Sequence, residues 1–485
     1  MEIWDKDLVS IQETRNLVAK AKTAQHLFSQ FSQEEIDRIV LKMSEAAQQE
    51  AERLAKLAHE ETGFGKWQDK VLKNQFASSV VYEYIKDLKT VGIIQNNLEN
   101  KVMEVGVPVG IVAGLIPSTN PTSTTIYKAL IALKSGNAII FSPHPSAKHC
   151  IVETVHVLTT AALQAGAPDG LIGCIQTPTL QATNELMKHK DVALILATGG
   201  EAMVRAAYSS GTPAIGVGPG NGPAFIEKSA DIPLAVKRIL DSKTFDNGVI
   251  CASEQSIVVE KEIEAQVVAE LVKQGAYFLS KEESENLGKW LLRANGTMNP
   301  QIVGKSVEVI ASLADLTIPK GTKVLISEQN TVSIKNPYSR EKLAPILAFY
   351  CEENWEKACE RCIELLFNEG KGHTLIMHST NEEIIKEFAL KKPVSRLLVN
   401  TPGALGGIGG TTNLVPALTL GCGAVGGSST SDNVGPLNLI NIRRVAYGVK
   451  ELEDLKSTPQ STQAVEVSQT DVEDIIRNLL HQLMG

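Results

Sequence analysis

Aromatic residues are scarce in this chain, only 5% of 485 positions, while Gly, Ala, Ile, Val and Leu are abundant. That balance argues against an aromatic-rich all-β core and for tightly packed α/β layers. Positive charge is not in excess either. The net charge of −8 leaves no electrostatic footprint for a nucleic-acid partner. The seven cysteines are scattered and odd in number, which excludes a full disulfide framework and favours a reducing compartment. The start, MEIWDKDLVS, is charged and has no apolar h-region. The longest apolar runs, such as VGIVAGLI in the 106–116 region, are too short to span a bilayer. A cytoplasmic chain with no membrane partner is expected. No fixed-period repeat is visible.

What is present exceeds one domain in length, and 43% apolar residues supply sizeable cores. Apolar residues recur at three- and four-residue steps through the first ninety positions, so helices are expected there. TVGIIQNNLENKVMEVGVP then reads as a hairpin or protruding β-arm at about 93–107. From 110 to 227, GIVAGLI, NAIIFSP, GLIGCIQ and VALILAT are short, continuously apolar strands, each followed by a helix-like stretch. Parallel strands covered on both faces have this appearance. A doubly wound sheet is expected, with ligands beyond the carboxyl ends of its strands, at PSTNPTS, SPHPSAK and ATGGEA. A second α/β set follows, with strands SEQSIVVE, TKVLIS, PILAFY, HTLIMHS and SRLLVN, closed by a glycine-rich segment. The boundaries expected are 1–240 for the helices and first sheet, 241–430 for the second domain and 431–455 for a return to the first. A polar linker (456–469) and an amphipathic helix (470–485) complete the chain.

Among the cysteines, Cys251 in TFDNGVICASEQS has small neighbours and a glycine three residues before it. Such surroundings leave a sulfur accessible and free backbone N–H groups to face a reacting oxygen. An inert buried cysteine reads alike. Cys359 and Cys362 form a C-x-x-C pair in a helical apolar context without a second ligand pair, so no metal is expected. Cys422 lies in the glycine-rich segment, where filling of the core is the simpler role.

PSTNPTST (117–124), ATGG (197–200), GVGPGNGP (216–223), FDNGVICASEQS (245–256) and EKLAP (341–345) occur in one order and spacing. In this the chain resembles the aldehyde dehydrogenase superfamily over about residues 35–450, and most of all its CoA-acylating branch. The resemblance implies that fold: a doubly wound NAD-binding domain, a second α/β catalytic domain and a β-arm for oligomerisation. It implies Cys251 as nucleophile and Asn120 as oxyanion donor, though Asn120 before Pro121 also suits a plain turn. It implies Glu341 on the nicotinamide ribose and a pyrophosphate at the turn Thr198, Gly199 and Gly200, where a helix begins. Ser142, Pro143 and His144 fall near the adenosine ribose. The hydrolytic relatives carry a Lys where Ser142 stands, which leaves NAD versus NADP open; NAD follows from the branch. His144 reads equally as a capping residue.

The hydrolytic enzymes also carry a Glu in an E-L-G-G-K type segment. Here the matching stretch is GVGPGNGP, and no acid lies between Tyr208 and Glu227. Without a positioned base water attacks a thioester slowly, whereas a thiol is the better nucleophile. The expectation is an NAD-dependent oxidation of a short-chain aldehyde (acetaldehyde, propionaldehyde or lactaldehyde), with CoA taking the acyl group from Cys251. A hydrolytic enzyme and a non-catalytic scaffold are the alternatives. The chain stops before a second catalytic domain, so no bifunctional polypeptide is expected. TDVEDIIRNLLHQLMG places Val472, Ile475, Ile476, Leu479, Leu480 and Leu483 on one stripe, with a capping box at Thr470 and Glu473. It resembles encapsulation peptides, which implies microcompartment shell or core partners and a microcompartment lumen. The β-arm implies a dimer or tetramer.

Overall fold

The computed structural model describes residues 5–293 and 295–456, together with Glu473, Ile476, Arg477 and Leu479. Those last four positions are helical and exposed. The linker beyond Lys456, the capping box and the full apolar stripe expected at 470–485 lie outside the described residues. The described residues of the body fall into two compact units, one within 5–92 and 106–442 and one within 93–105 and 443–456.

The larger unit opens with helices, as the periodicity predicts. Lys6–Phe28, Gln33–Gln49 and Ala51–Thr62 come first. Ser32 starts the second with a capping box through Glu35, which satisfies two otherwise free N–H groups. That helix buries Ile36, Ile39, Val40, Met43 and Ala47, one face at helical spacing. Each large aliphatic side chain so buried contributes about 1.5–3 kcal/mol. The helix Trp67–Gln75 is different: it buries Lys70 and Lys73.

The strands, in chain order, are β1 (Gly92–Asn97), β2 (Val102–Pro108), β3 (Ile111–Ile116), β4 (Ala138–Pro143), β5 (Ile172–Cys174), β6 (Val192–Thr198) and β7 (Ala214–Val217). They continue with β8 (Gly222–Ile226), β9 (Glu254–Glu260), β10 (Ala276–Phe278), β11 (Val324–Glu328), β12 (Ile346–Glu352), β13 (Gly372–His378), β14 (Val394–Val399) and β15 (Ile440–Ala446). The first sheet runs β5-β4-β3-β6-β7 with every pair parallel. Strand order reverses between β3 and β6, so the crevice beyond their carboxyl ends is the place for a ligand. Fully buried Lys128 ties this point together, its Nζ donating to the carbonyls of Leu115 and Leu196 at 2.8 Å each. Burial pushes its pKa down to about 7.

The second sheet, β10-β11-β12-β9-β8-β13-β14, is also parallel throughout. Two of its strands and one of the first sheet, missed from sequence, are short. β7, β8 and β10 span 4, 5 and 3 residues, and β7 and β8 flank the glycines of GVGPGNGP, which hide strand periodicity. The sheets change over between Val217 and Gly222, not at the expected 240, which falls inside the helix Ile232–Thr244.

In the smaller unit, β1, β2 and β15 pair in the order β1-β2-β15, and Arg444 Nε meets Glu104 Oε1 at 2.9 Å. Among the described residues no helix is long and apolar enough to cross a membrane.

Candidate active site

A cavity of about 480 Å³ opens where the carboxyl ends of β3, β4, β6 and β7 meet the segments before β9 and β12. Cys251, Asn120, Thr198, Gly199, Gly200, Ser142, Pro143, His144 and Glu341 all line it. Residues as far apart in the chain as Asn120 and Glu341 are thus brought to one surface. Cys359 and Cys362 are not among them; they are buried on the core face of the helix Trp355–Asn368.

Cys251 is half-buried and follows a sharp turn. Asp246, Asn247 and Gly248 take φ of 48°, 52° and 79° in succession, a left-handed path that costs a non-glycine residue about 1–2 kcal/mol. Side chains hold it there. Asp246 accepts from Lys66 N at 2.6 Å and from Lys70 Nζ at 3.0 Å, and also pairs with Lys73. Its own N–H donates to Asp69 Oδ2 at 2.7 Å, and Asn247 Nδ2 donates to the Gly304 carbonyl at 2.9 Å. Burial pushes the Cys251 thiol up to about 12; Glu341 adds to this and the Arg396 guanidinium opposes it. The resting sulfur is a thiol that needs a proton acceptor.

Asn120 stands between Thr119 and the helix Pro121–Lys134, at the N-cap, but makes no side-chain cap bond. Its Nδ2 donates to the Val249 carbonyl at 2.9 Å and its Oδ1 accepts from Lys73 Nζ at 2.6 Å. The backbone position suits the plain-turn alternative, which named no partners for the side chain.

The nucleotide side is built from backbone. A Cβ on Gly200 would meet nothing within 4 Å, and one on Gly199 would meet only the Met203 side chain, at 3.7 Å. The turn is open to the cavity, and the helix Glu201–Tyr208 begins there, so a pyrophosphate fits at its free N–H groups. Ser142 Oγ is engaged with Thr183 Oγ1 at 2.8 Å. His144 caps the turn Pro145–Ala147, its Nδ1 accepting from Ser146 N at 3.2 Å; the capping alternative holds for that nitrogen.

Glu341 is the only carboxylate among the lining residues. Its Oε1 accepts from Gly220 N at 3.0 Å. Burial, with Glu369 beside it, pushes its pKa up to about 8. Gly220 is glycine by necessity: a Cβ there would lie 1.9 Å from the Cys251 carbonyl oxygen. The segment GVGPGNGP therefore packs its backbone on the cysteine and brings no acid there.

Three features were missed from sequence. Lys70 and Lys73 read as a charged helix face, and nothing near them in sequence signals Asp246, 176 and 173 residues away. Glu254, directly after CAS, is fully buried, accepting from Gly403 N at 2.7 Å; burial raises its pKa to about 7. His373, at the start of β13, is buried with Nδ1 on Thr374 Oγ1 at 2.9 Å and Nε2 without a partner. Its Cε1 would lie 3.4 Å from a Cβ on Gly220, which puts the ring beside the glycine that packs on Cys251. Burial, then Arg396, push its pKa down to about 3, so the imidazole is neutral.

A doubly wound sheet whose carboxyl edge shares one cavity with a cysteine just before a strand of a second parallel sheet has the build of a nucleotide-binding protein with a thiol centre. The aldehyde dehydrogenase family pattern matches residues 3–343, and the chain belongs to that family. A probable aldehyde dehydrogenase from Listeria monocytogenes EGD-e is 67% identical with a TM-score of 0.93, over 93% of this chain and 100% of that one. An acetylating aldehyde dehydrogenase from Geobacillus thermoglucosidasius is 54% identical with a TM-score of 0.91, over 93% and 99%. A propionaldehyde dehydrogenase from Rhodopseudomonas palustris, solved with bound CoA and an acylated cysteine, is 26% identical with a TM-score of 0.82, over 90% and 97%. The bifunctional aldehyde-alcohol dehydrogenase of Escherichia coli K12 is 45% identical over 90% of this chain and 50% of its own length. The chain thus spans about half the length of the curated bifunctional relatives it matches. The relatives bear out the resemblance to the acylating branch and the α/β fold expected from it.

Proposed function

We propose that the protein oxidises a short-chain aldehyde with NAD and passes the acyl group to CoA through a thioester on Cys251. One observation carries this reading: Cys251 and Asn120 line the same cavity as the open Thr198–Gly200 turn, while the stretch that holds the base in hydrolytic relatives lines it with Val217, Gly218 and Pro219, packs Gly220 on the cysteine and brings no acid. Cys251 gives up its proton to water in the open cavity, and the thiolate attacks the aldehyde carbon. The resulting oxyanion is met by an Asn120 amide N–H and the backbone N–H of Cys251, a pair of preorganised donors of the kind whose loss costs about 10²–10³ in rate. NAD, when bound, supplies the hydride acceptor. Thr198, Gly199 and Gly200 would hold its pyrophosphate, Glu341 a ribose, and Ser142, Pro143 and His144 the adenosine end. His373, buried beside Gly220 with Nε2 unpartnered, packs behind the segment that meets the cysteine, and its lowered pKa makes it no base for a thiol. The Rhodopseudomonas relative with CoA and an acylated cysteine supports this order of events.

NADH formation from propionaldehyde with and without CoA tests the reading. Turnover is expected to depend on CoA; formation of free acid at a comparable rate without it would overturn the acylating step. That hydrolytic outcome has one feature in its favour, the Glu341 carboxyl, whose raised pKa of about 8 suits a base near neutral pH. The preferred chain length, the dimer or tetramer expected from the β-arm, and packaging in a microcompartment through 470–485 belong to the same proposal. Removing 456–485 is expected to leave turnover intact and abolish co-purification with shells.

A further inference from the structure

Lys73 lines the cavity but makes no direct contribution to the chemistry above. We propose that Lys73 is a positioning residue, locking the Asn120 amide so that one N–H always faces the reacting oxygen. The inference rests on the reading of Asn120 as an oxyanion donor.

Asparagine at an N-cap ordinarily turns its side chain onto the free N–H groups of its own helix. Asn120 does not. Its oxygen is taken by the Lys73 ammonium at 2.6 Å and one of its two N–H groups by the Val249 carbonyl at 2.9 Å. An amide has one oxygen and two N–H groups; the second N–H faces only the Thr119 hydroxyl at 3.5 Å, the outer limit of a hydrogen bond, so a reacting oxygen in the cavity can claim it. Rotating the amide by half a turn would press its NH₂ on the ammonium and its oxygen on the Val249 carbonyl, two repulsions in place of two bonds. The ammonium also draws electron density through the amide and strengthens the remaining donor.

Lys73 is itself fixed. It reaches the Val249 carbonyl at 3.2 Å and shares buried Asp246 with Lys70, which donates to the Thr119 carbonyl at 3.0 Å. Asp246 therefore joins the loop carrying Asn120 to the turn carrying Cys251. The spacing between oxyanion donor and nucleophile is set by one carboxylate and two lysines.

A double-mutant cycle tests this. Aldehyde-dependent NADH formation with CoA is measured for the native protein, Lys73→Met, Asn120→Ala and the double variant, with thermal unfolding and NADH fluorescence on each. Asp246 keeps Lys70 in Lys73→Met, so the carboxylate is not stranded. Lys73→Met is expected to lower kcat by about tenfold to hundredfold, with KM for NAD unchanged, and to cost nothing further once Asn120 is gone. Lys73→Arg, which retains a cationic donor, should recover part of kcat; should Lys73→Met fail to fold, Lys73→Arg and its double variant carry the cycle. Native kcat in Lys73→Met, or an equal fold loss in both backgrounds, would overturn the inference alone. Native kcat in Asn120→Ala would overturn the donor reading and the inference with it.

Discussion

The two sheets build their halves of the cavity by opposite means. The first sheet offers backbone: an open glycine turn after β6, a helix start, and loops at a strand-order switch. The second offers buried ionisable groups. Glu254, Lys243 and Lys342 are fully buried and Glu341 lines the cavity half-buried; burial moves Glu341, Glu254 and Lys243 to about 8, 7 and 7 and pushes Lys342 well down. The difference teaches that an anion site can be built from chain geometry, whereas chemistry at a sulfur needs charges held where water cannot level them.

The comparison can be broken at four points. Cys251→Ala should abolish NADH formation, a loss of about 10⁴-fold or more, while NADH fluorescence shows the first-sheet half still binding. Asn120→Ala should lower kcat by about 10²–10³ with cofactor affinity retained; a change in affinity instead would place Asn120 in the backbone-built half. Glu341→Gln should act through pH. The native pKa is raised from 4.5 to about 8. Below 4.5 the carboxyl is protonated in both states and its charge carries no penalty. As pH rises toward 8 the unfolded chain ionises first, and folding loses stability by about 1.4 kcal/mol per unit of raised pKa. The variant without cofactor should therefore melt several degrees above the native protein at pH 8 and close to it below pH 5; equal gaps at both would show that the side chain is solvated. Gly200→Ala is the mildest. Its φ of −66° suits any residue and a Cβ meets nothing, so the melting temperature should not move while KM for NAD rises several-fold. Unchanged KM would remove the phosphate from that turn.

The backbone half was legible in the sequence because its signals are local. Short apolar strands followed by ATGG or PSTNPTS carry their own periodicity and turn chemistry, so the loops could be placed from them, while the roles of Thr198, Gly199, Gly200 and Asn120 came from the family resemblance. β7, β8 and β10 escaped because they are too short for periodicity to show. The charged half was legible only in part. Cys251 and Glu341 could be picked out through the family order, but Lys73, Lys70 and Asp246 could not. A lysine pair on one helix face is ordinarily solvated, and only the chain's return 173 residues later buries it.

By itself the sequence determined the α/β class, the parallel strands of the first sheet, the cysteine and the absence of an acid in GVGPGNGP. These follow from composition, from spacing over a few residues, and from motif order. Tertiary structure alone decided that Gly220 must be glycine against Cys251, that His373 keeps a free ring nitrogen beside it, and that Asn120 turns to Lys73 instead of capping its helix. Each of these depends on close approach between segments distant in the chain. Burial and desolvation act there through space, and no local pattern of residues encodes them.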